Sequence, residues 1–271
     1  MTWQPMSLDG PKMRPIGYVN WRGLWTLYQK EVRRFLNVFT QTLLAPMVTS
    51  LLFLAIFHLA IGGRGREVAG IDFTAFLVPG LIMMSIAQNA FANTSSSLVI
   101  AKSQGNIVDL LMPPLSPGEL VLGLTGGGVT RGLMVGVLVA AAMWLFLPFG
   151  IHQPALVVYH AVMAALMLSL LGTIGGIWAE KFDQIAAVTN FVITPFSFLS
   201  GTFYSIERLP PLWQNVAHFN PFFYMIDGFR YGLIGHADAS PMLGVVVLAG
   251  VDALLAGVVY CMFRTGYRLK S

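Results

Sequence analysis

Residues 132–179 read GLMVGVLVAAAMWLFLPFGIHQPALVVYHAVMAALMLSLLGTIGGIWA, 48 consecutive positions without Asp, Glu, Lys or Arg. A helix needs about 20 apolar residues to cross the hydrocarbon of a bilayer. This stretch therefore holds two crossings, and Pro148, Gly150, His152 and Pro154 mark the break between them. Working outward, the charge-free stretches 35–63 and 73–101 hold 29 residues each, 184–206 holds 23, and 239–263 holds 25 interrupted by Asp252. The fold class is all-α and polytopic, with six spans expected at about 38–61, 74–96, 129–149, 155–178, 185–204 and 242–263. A seventh apolar stretch, 209–226, carries Pro210, Pro211, Gln214, Asn215, His218, Asn220 and Pro221, which would leave backbone and side-chain groups unsatisfied in lipid.

Composition agrees. The 271-residue chain is 56% hydrophobic and 10% charged, against about 25% charged in a typical soluble domain. That excludes a soluble globule and a disordered chain. Cys261 is the single cysteine, so no disulfide forms within the chain. Six spans put both termini on one side. With the termini inside, the inner segments hold Lys12, Arg14, Arg22, Lys30, Arg33, Arg34, Lys102, Arg131, Lys181, Arg264, Arg268 and Lys270, and the outer ones Arg64, Arg66, Arg208 and Arg230. Twelve against four places both ends in the cytoplasm. The net charge of +4 is then an orientation signal, with no nucleic-acid partner implied. About 34 polar or amphipathic residues precede the first span, which argues against a cleavable signal peptide.

Residues 1–18, with Pro5, Gly10, Pro11 and Pro15, read as a mobile cytoplasmic tail before a membrane domain at 19–271. Over 19–36 an amphipathic helix is expected, with Trp21, Leu24, Trp25, Tyr28, Val32 and Phe35 on one side and Arg22, Thr26, Gln29, Lys30, Arg33 and Arg34 on the other. It is either a plain interfacial anchor in membrane lipid or also a contact for a second subunit. The loop 102–119 predicts a short helix over 106–112 stopped by Pro113 and Pro114. Its Leu110, Leu111 and Met112 form an apolar end, which serves either a protein partner or the membrane face. Gly123, Gly126, Gly127 and Gly128 precede the third span, and 128, 132 and 136, like 172 and 176, are spaced for close helix packing. No Lys-Ser or Lys-Thr follows, so the run is no phosphate-binding loop. Between spans five and six, 38 or so outer residues rich in Trp, Tyr, Phe and Pro suggest short re-entrant helices.

Catalytic, cofactor-binding and metal sites are not expected in this chain. The five histidines share no ligand spacing, and no serine or cysteine sits in a nucleophile signature. Asp252 is the one carboxylate in mid-span. It is either a proton carrier of a secondary transporter or channel, or a structural group bonded to a polar neighbour such as Thr130 or Ser169.

Three stretches carry a resemblance covering about residues 19–268. They are Trp25-Thr-Leu-Tyr-Gln-Lys-Glu-Val-Arg-Arg-Phe35, then Asp109-Leu-Leu-Met-Pro-Pro-Leu-Ser-Pro-Gly-Glu119, and the block from Gly201-Thr-Phe-Tyr204 through Asn220-Pro-Phe-Phe-Tyr to Arg230-Tyr-Gly232. The chain resembles the permease subunits of bacterial ABC exporters of the ABC-2 type, and is similar to small inner-membrane transport permeases, a group that includes lipo-oligosaccharide exporters. The resemblance implies a half-transporter of two permeases, most simply a homodimer, with cytoplasmic ABC ATPase subunits that hold the ATP and magnesium. It implies coupling through Glu31, Arg34, Asp109, Leu110, Leu111 and Met112. It also implies a re-entrant extracellular block that includes Tyr204, Pro210, Trp213, Asn220, Pro221 and Arg230. The substrate, whether lipo-oligosaccharide, drug or lipid, stays open.

Overall fold

The computed structural model describes residues 17–60, 67–68, 70–206 and 209–269. Lys12, Arg14, Arg64, Arg66, Arg208, Lys270 and all but the last two residues of the expected tail lie outside them. The chain is an all-α bundle. Six helical segments among the described residues are long and apolar enough to cross a membrane: Thr40–Ala60, Phe73–Ser103, Pro117–Phe146, Pro154–Trp178, Phe182–Leu199 and Pro241–Thr265. In chain order the helices are α1 (Trp21–Leu36), α2 (Ala45–Ala60), α3 (Phe73–Ser103), α4 (Ile107–Leu111), α5 (Pro117–Phe146) and α6 (Pro154–Trp178), then α7 (Phe182–Val188), α8 (Thr194–Leu199), α9 (Pro211–His218), α10 (Pro221–Ile234) and α11 (Pro241–Thr265). A π-helical turn, Thr40–Leu44, leads into α2, and a second, Thr189–Ile193, joins α7 to α8. The described strands are a two-residue pair, Glu67–Val68 against Ile71–Asp72. Asp72 ends it and caps α3, accepting from the Thr74 and Ala75 amides at 2.9 and 3.2 Å.

Helix α3 is the axle, packed by α2, α5, α6 and α10 and buried along most of its length. Close approach explains it. A Cβ on Gly132 of α5 would lie 3.0 Å from the Ala90 Cβ, and one on Gly176 of α6 would lie 2.8 Å from the Leu98 Cβ. Gly128 faces Ser169 and Thr94, and Gly172 faces Thr94 and Phe91. The small-residue spacings thus mark helix seams, where dispersion replaces the hydrophobic drive that lipid does not supply.

The helix that holds the expected third span extends beyond it. Helix α5 starts at Pro117, twelve positions before the expected 129, and the whole glycine run is helical. Ser116 caps it: its hydroxyl accepts from the Glu119 amide while the Glu119 carboxylate accepts from the Ser116 amide at 2.6 Å. The seventh apolar stretch breaks into α9 and the start of α10 at Phe219-Asn220.

Candidate functional site

At one end of the bundle α1 lies in a groove of α5. A Cβ on Gly123 would meet Leu27 at 2.6 Å, and one on Gly127 would meet the Glu31 Cβ at 2.5 Å. The buried face of α1 is therefore Leu27, Glu31 and Phe35. Trp21 and Trp25 of the expected apolar side lie outside this contact, 69% and 57% exposed.

Glu31 is fully buried. The Ser97 hydroxyl donates to it at 2.7 Å, and the Arg34 guanidinium pairs with it at 3.1 Å. Arg34 also donates to the Asn93 carbonyl at 2.7 Å, the Asn93 side-chain oxygen at 3.0 Å and the Ser96 hydroxyl at 3.2 Å. Tyr28 bonds Thr130 of α5 at 2.9 Å. One carboxylate thus ties α1 to α3 through short, charge-assisted bonds. Asn20 begins the same seam, its amide donating to Glu119 and its side chain to the Pro114 carbonyl.

Beside α1 lies α4. Its Leu110 was expected to be exposed but is 5% exposed, packed with Leu27, Ile107, Leu124 and Phe263. Leu111 is half-buried, Asp109 is exposed, and Met112 is 76% exposed. The outward apolar pair is Val108, 53% exposed, with Met112 one turn on. A five-residue helix cannot be phased from composition, which is why Val108 escaped notice. The ends of α3 and α6 are clamped nearby. Lys102 donates to the Ile177 and Ala179 carbonyls at 2.6 and 2.7 Å, and Arg268 donates to the Trp178 carbonyl at 3.1 Å. These cations satisfy the free carbonyls at a helix C-terminus and complement its dipole.

Helices α9 and α10 are the two short helices between α8 and α11. Asn220 caps α10 and donates to the Ser200 hydroxyl at 2.8 Å, and Pro221 takes the first helical position, where its missing N–H costs nothing. Tyr204 donates to the Leu199 carbonyl at 3.1 Å. Pro210 precedes α9 and is exposed, and Trp213 on α9 is 49% exposed. Arg230 is fully buried, 3.9 Å from Asp227, 3.9 Å above the Phe76 ring and donating to the Gly201 carbonyl. Asp227 accepts from the Asp238 and Ala239 amides at 2.8 and 2.9 Å. Asp238 in turn takes the Ser205 hydroxyl at 2.9 Å and the Ile206 amide at 2.8 Å. Asp227 and Asp238 were not foreseen. Two acids on either side of one arginine in an aromatic block were the available signal.

Asp252 and Arg131 are two of the ionisable groups carried by the membrane-length helices. Asp252 of α11 is 3% exposed, and neither carboxylate oxygen has a hydrogen-bond partner, so the expected bond to Thr130 or Ser169 is not made. Thr130 serves Tyr28 instead. Arg131 of α5 donates to the Asn89 side-chain oxygen at 3.0 Å, and its Nε is buried without a partner.

A bundle of six helices long and apolar enough to cross a membrane, with α1 locked onto α3 and α5 and two short helices before the last, has the architecture of a membrane transport permease. Residues 22–234 match the ABC-2 type transporter family, and the chain belongs to it. It is 41% identical over 256 residues to the inner membrane transport permease YadH of Escherichia coli (strain K12), covering 94% of this chain and 99% of that one. It is also 27% identical over 239 residues to nodulation protein J of Rhizobium leguminosarum bv. trifolii, covering 85% and 87%. The chain is a multi-pass membrane protein of the permease type.

Proposed function

We propose that this chain is the membrane-spanning subunit of an ATP-binding cassette exporter of the inner membrane. In this reading it pairs with a second permease and docks cytoplasmic ATPase subunits that bind ATP and magnesium. The observation that carries the reading is the end built from α1 and α4. There a helix outside the bundle is locked to α3 through Glu31, and the exposed Val108–Met112 pair stands beside it. A force on this end reaches α3, and through α3 most of the bundle. Lys102, Arg268 and the basic residues of α1 gather at the same end, which supports a cytoplasmic placement for it and for both termini.

Replacing Val108 and Met112 together by Ser is expected to abolish co-purification of the tagged ATPase while the thermal midpoint of the permease stays within about 2 °C of wild type. Leu110→Ser should do the reverse. It empties a packed site and buries a hydroxyl, costing about 2–5 kcal/mol of stability. Normal ATPase capture by the Val108/Met112 double variant would remove the docking assignment.

A proton-coupled carrier is the second reading, and the unpartnered carboxylate of Asp252 is what favours it. Under the exporter reading Asp252→Asn keeps ATP-driven transport at every pH, because the work enters from the cytoplasmic end. Vesicles given ATP without a proton gradient, then a gradient without ATP, separate the two. Gradient-driven transport that Asp252→Asn abolishes would overturn the exporter.

A further inference from the structure

Between the Thr40–Ala60 span, α3 and α5 lies a cleft of about 320 Å³ whose polar wall includes Gln41, Ser50, Ser85, Gln88, Asn89 and Arg131. Ser50 and Ser85 share a 2.7 Å bond, and Asn89 donates to the Ser85 carbonyl at 3.0 Å. Arg131 is the one charged residue of the wall. Asn89 is its one polar partner among the described residues, and no carboxylate there forms an ion pair with it. The charged side chain that acts on it is another cation, Arg34. Arg34 has its own carboxylate; Arg131 has none.

An arginine in a membrane-spanning helix whose one polar partner is neutral has the charge and the free N–H groups to hold an anion. The position of the cleft restricts what brings that anion. It runs along the first span from Gln41, at the end near α1, to Phe53. Those twelve positions rise about 18 Å, roughly one leaflet. Thr49 and Gln41 at its lip are exposed, so it opens sideways on the bundle surface. A ligand entering there from one leaflet keeps its apolar part in the lipid and brings its head to Arg131.

We propose that this cleft binds the anionic headgroup of an amphiphile, and that an anionic amphiphile is the substrate class of the exporter. The second clause rests on the function proposed above. The binding test needs no ATPase, so its failure is distinct from failure of that reading.

The probes are lysophosphatidate, lysophosphatidylcholine and inorganic phosphate, titrated into purified permease in neutral detergent with binding read by native mass spectrometry. Lysophosphatidate should bind about tenfold more tightly than lysophosphatidylcholine. Arg131→Gln should remove that difference and Arg131→Lys should retain part of it. Should Arg131→Gln fail to fold, Thr49→Trp closes the cleft from its exposed lip and should lower lysophosphatidate binding just as far. In the reconstituted complex lysophosphatidate should raise ATP hydrolysis by wild type and leave Arg131→Gln unmoved. Equal binding of the two lysolipids, or equal affinity for tail-less phosphate, would overturn the amphiphile assignment. So would an Arg131→Gln variant that keeps lysophosphatidate binding while losing the permease dimer, since the cleft would then be a subunit contact. Binding without stimulated hydrolysis would overturn the substrate assignment.

Discussion

Asp227→Ala should leave a permease that melts about 6–20 °C below wild type. Removing one partner of a buried pair strands the other, at about 3–5 kcal/mol. Arg230 would lose its ion-pair partner at full burial, keeping a ring face, one carbonyl and the more distant Asp238 carboxylate. The amides of Asp238 and Ala239 would lose their acceptor in the same step. That unfastens the segment before α11 from α10. Asp227→Asn keeps one acceptor oxygen for those amides and should fall between the two. The double variant Asp227→Asn/Arg230→Met removes both charges and should recover part of the loss, because no charge is left unpaired. Melting of the detergent-purified protein followed by tryptophan fluorescence measures all three. An Asp227→Ala midpoint equal to wild type would show that Arg230 does not depend on its acid.

Glu31→Lys is the second large effect. Reading residues 25–35 alone, Glu31 among Lys30, Arg33 and Arg34 is a solvated i,i+3 partner worth a few tenths of a kcal/mol, and its reversal should spare expression. Burial changes that expectation. The Glu31 Cβ occupies the space above Gly127, and its oxygens hold Ser97 and Arg34. A lysine there puts an ammonium beside the Arg34 guanidinium without an acid to balance either, again about 3–5 kcal/mol. The expected result is release of α1: rapid trypsin cleavage within 21–36, low yield and no ATPase capture. Glu31→Gln retains the shape and an acceptor, so it should keep the fold while weakening the Arg34 clamp. Wild-type resistance to trypsin in Glu31→Lys would mean that the ion pair does not seat the helix.

The six crossings were legible because lipid imposes its demand residue by residue: a charge-free run of twenty is visible in the chain itself. The glycine seams were legible for a related reason, since close packing requires small residues at a fixed step. What stayed hidden depends on pairs far apart in the chain. Glu31 is buried because Gly127, 96 positions on, has no side chain. Leu110 turns inward because Leu27 and Phe263 wait for it. The extension of α5 back to Pro117 had no signal of its own, because its glycines gain their role only where three helices meet. Asp252 was singled out correctly as an oddity, but a partner was expected on general grounds and the packing supplies none.

The buried polar face of α3 also bears on how the protein is made. Asn89, Thr94 and Ser97 find their partners on Arg131, the Ser169 carbonyl and Glu31. Glu31 leaves the ribosome before α3, whereas Arg131 and Ser169 follow it by dozens of residues. While α3 emerges, Ser85, Asn89 and Ser95 can bond carbonyls of their own helix, but the partners that seat α3 against α5 and α6 do not yet exist. The packing of the axle is complete only once the fourth crossing has been made.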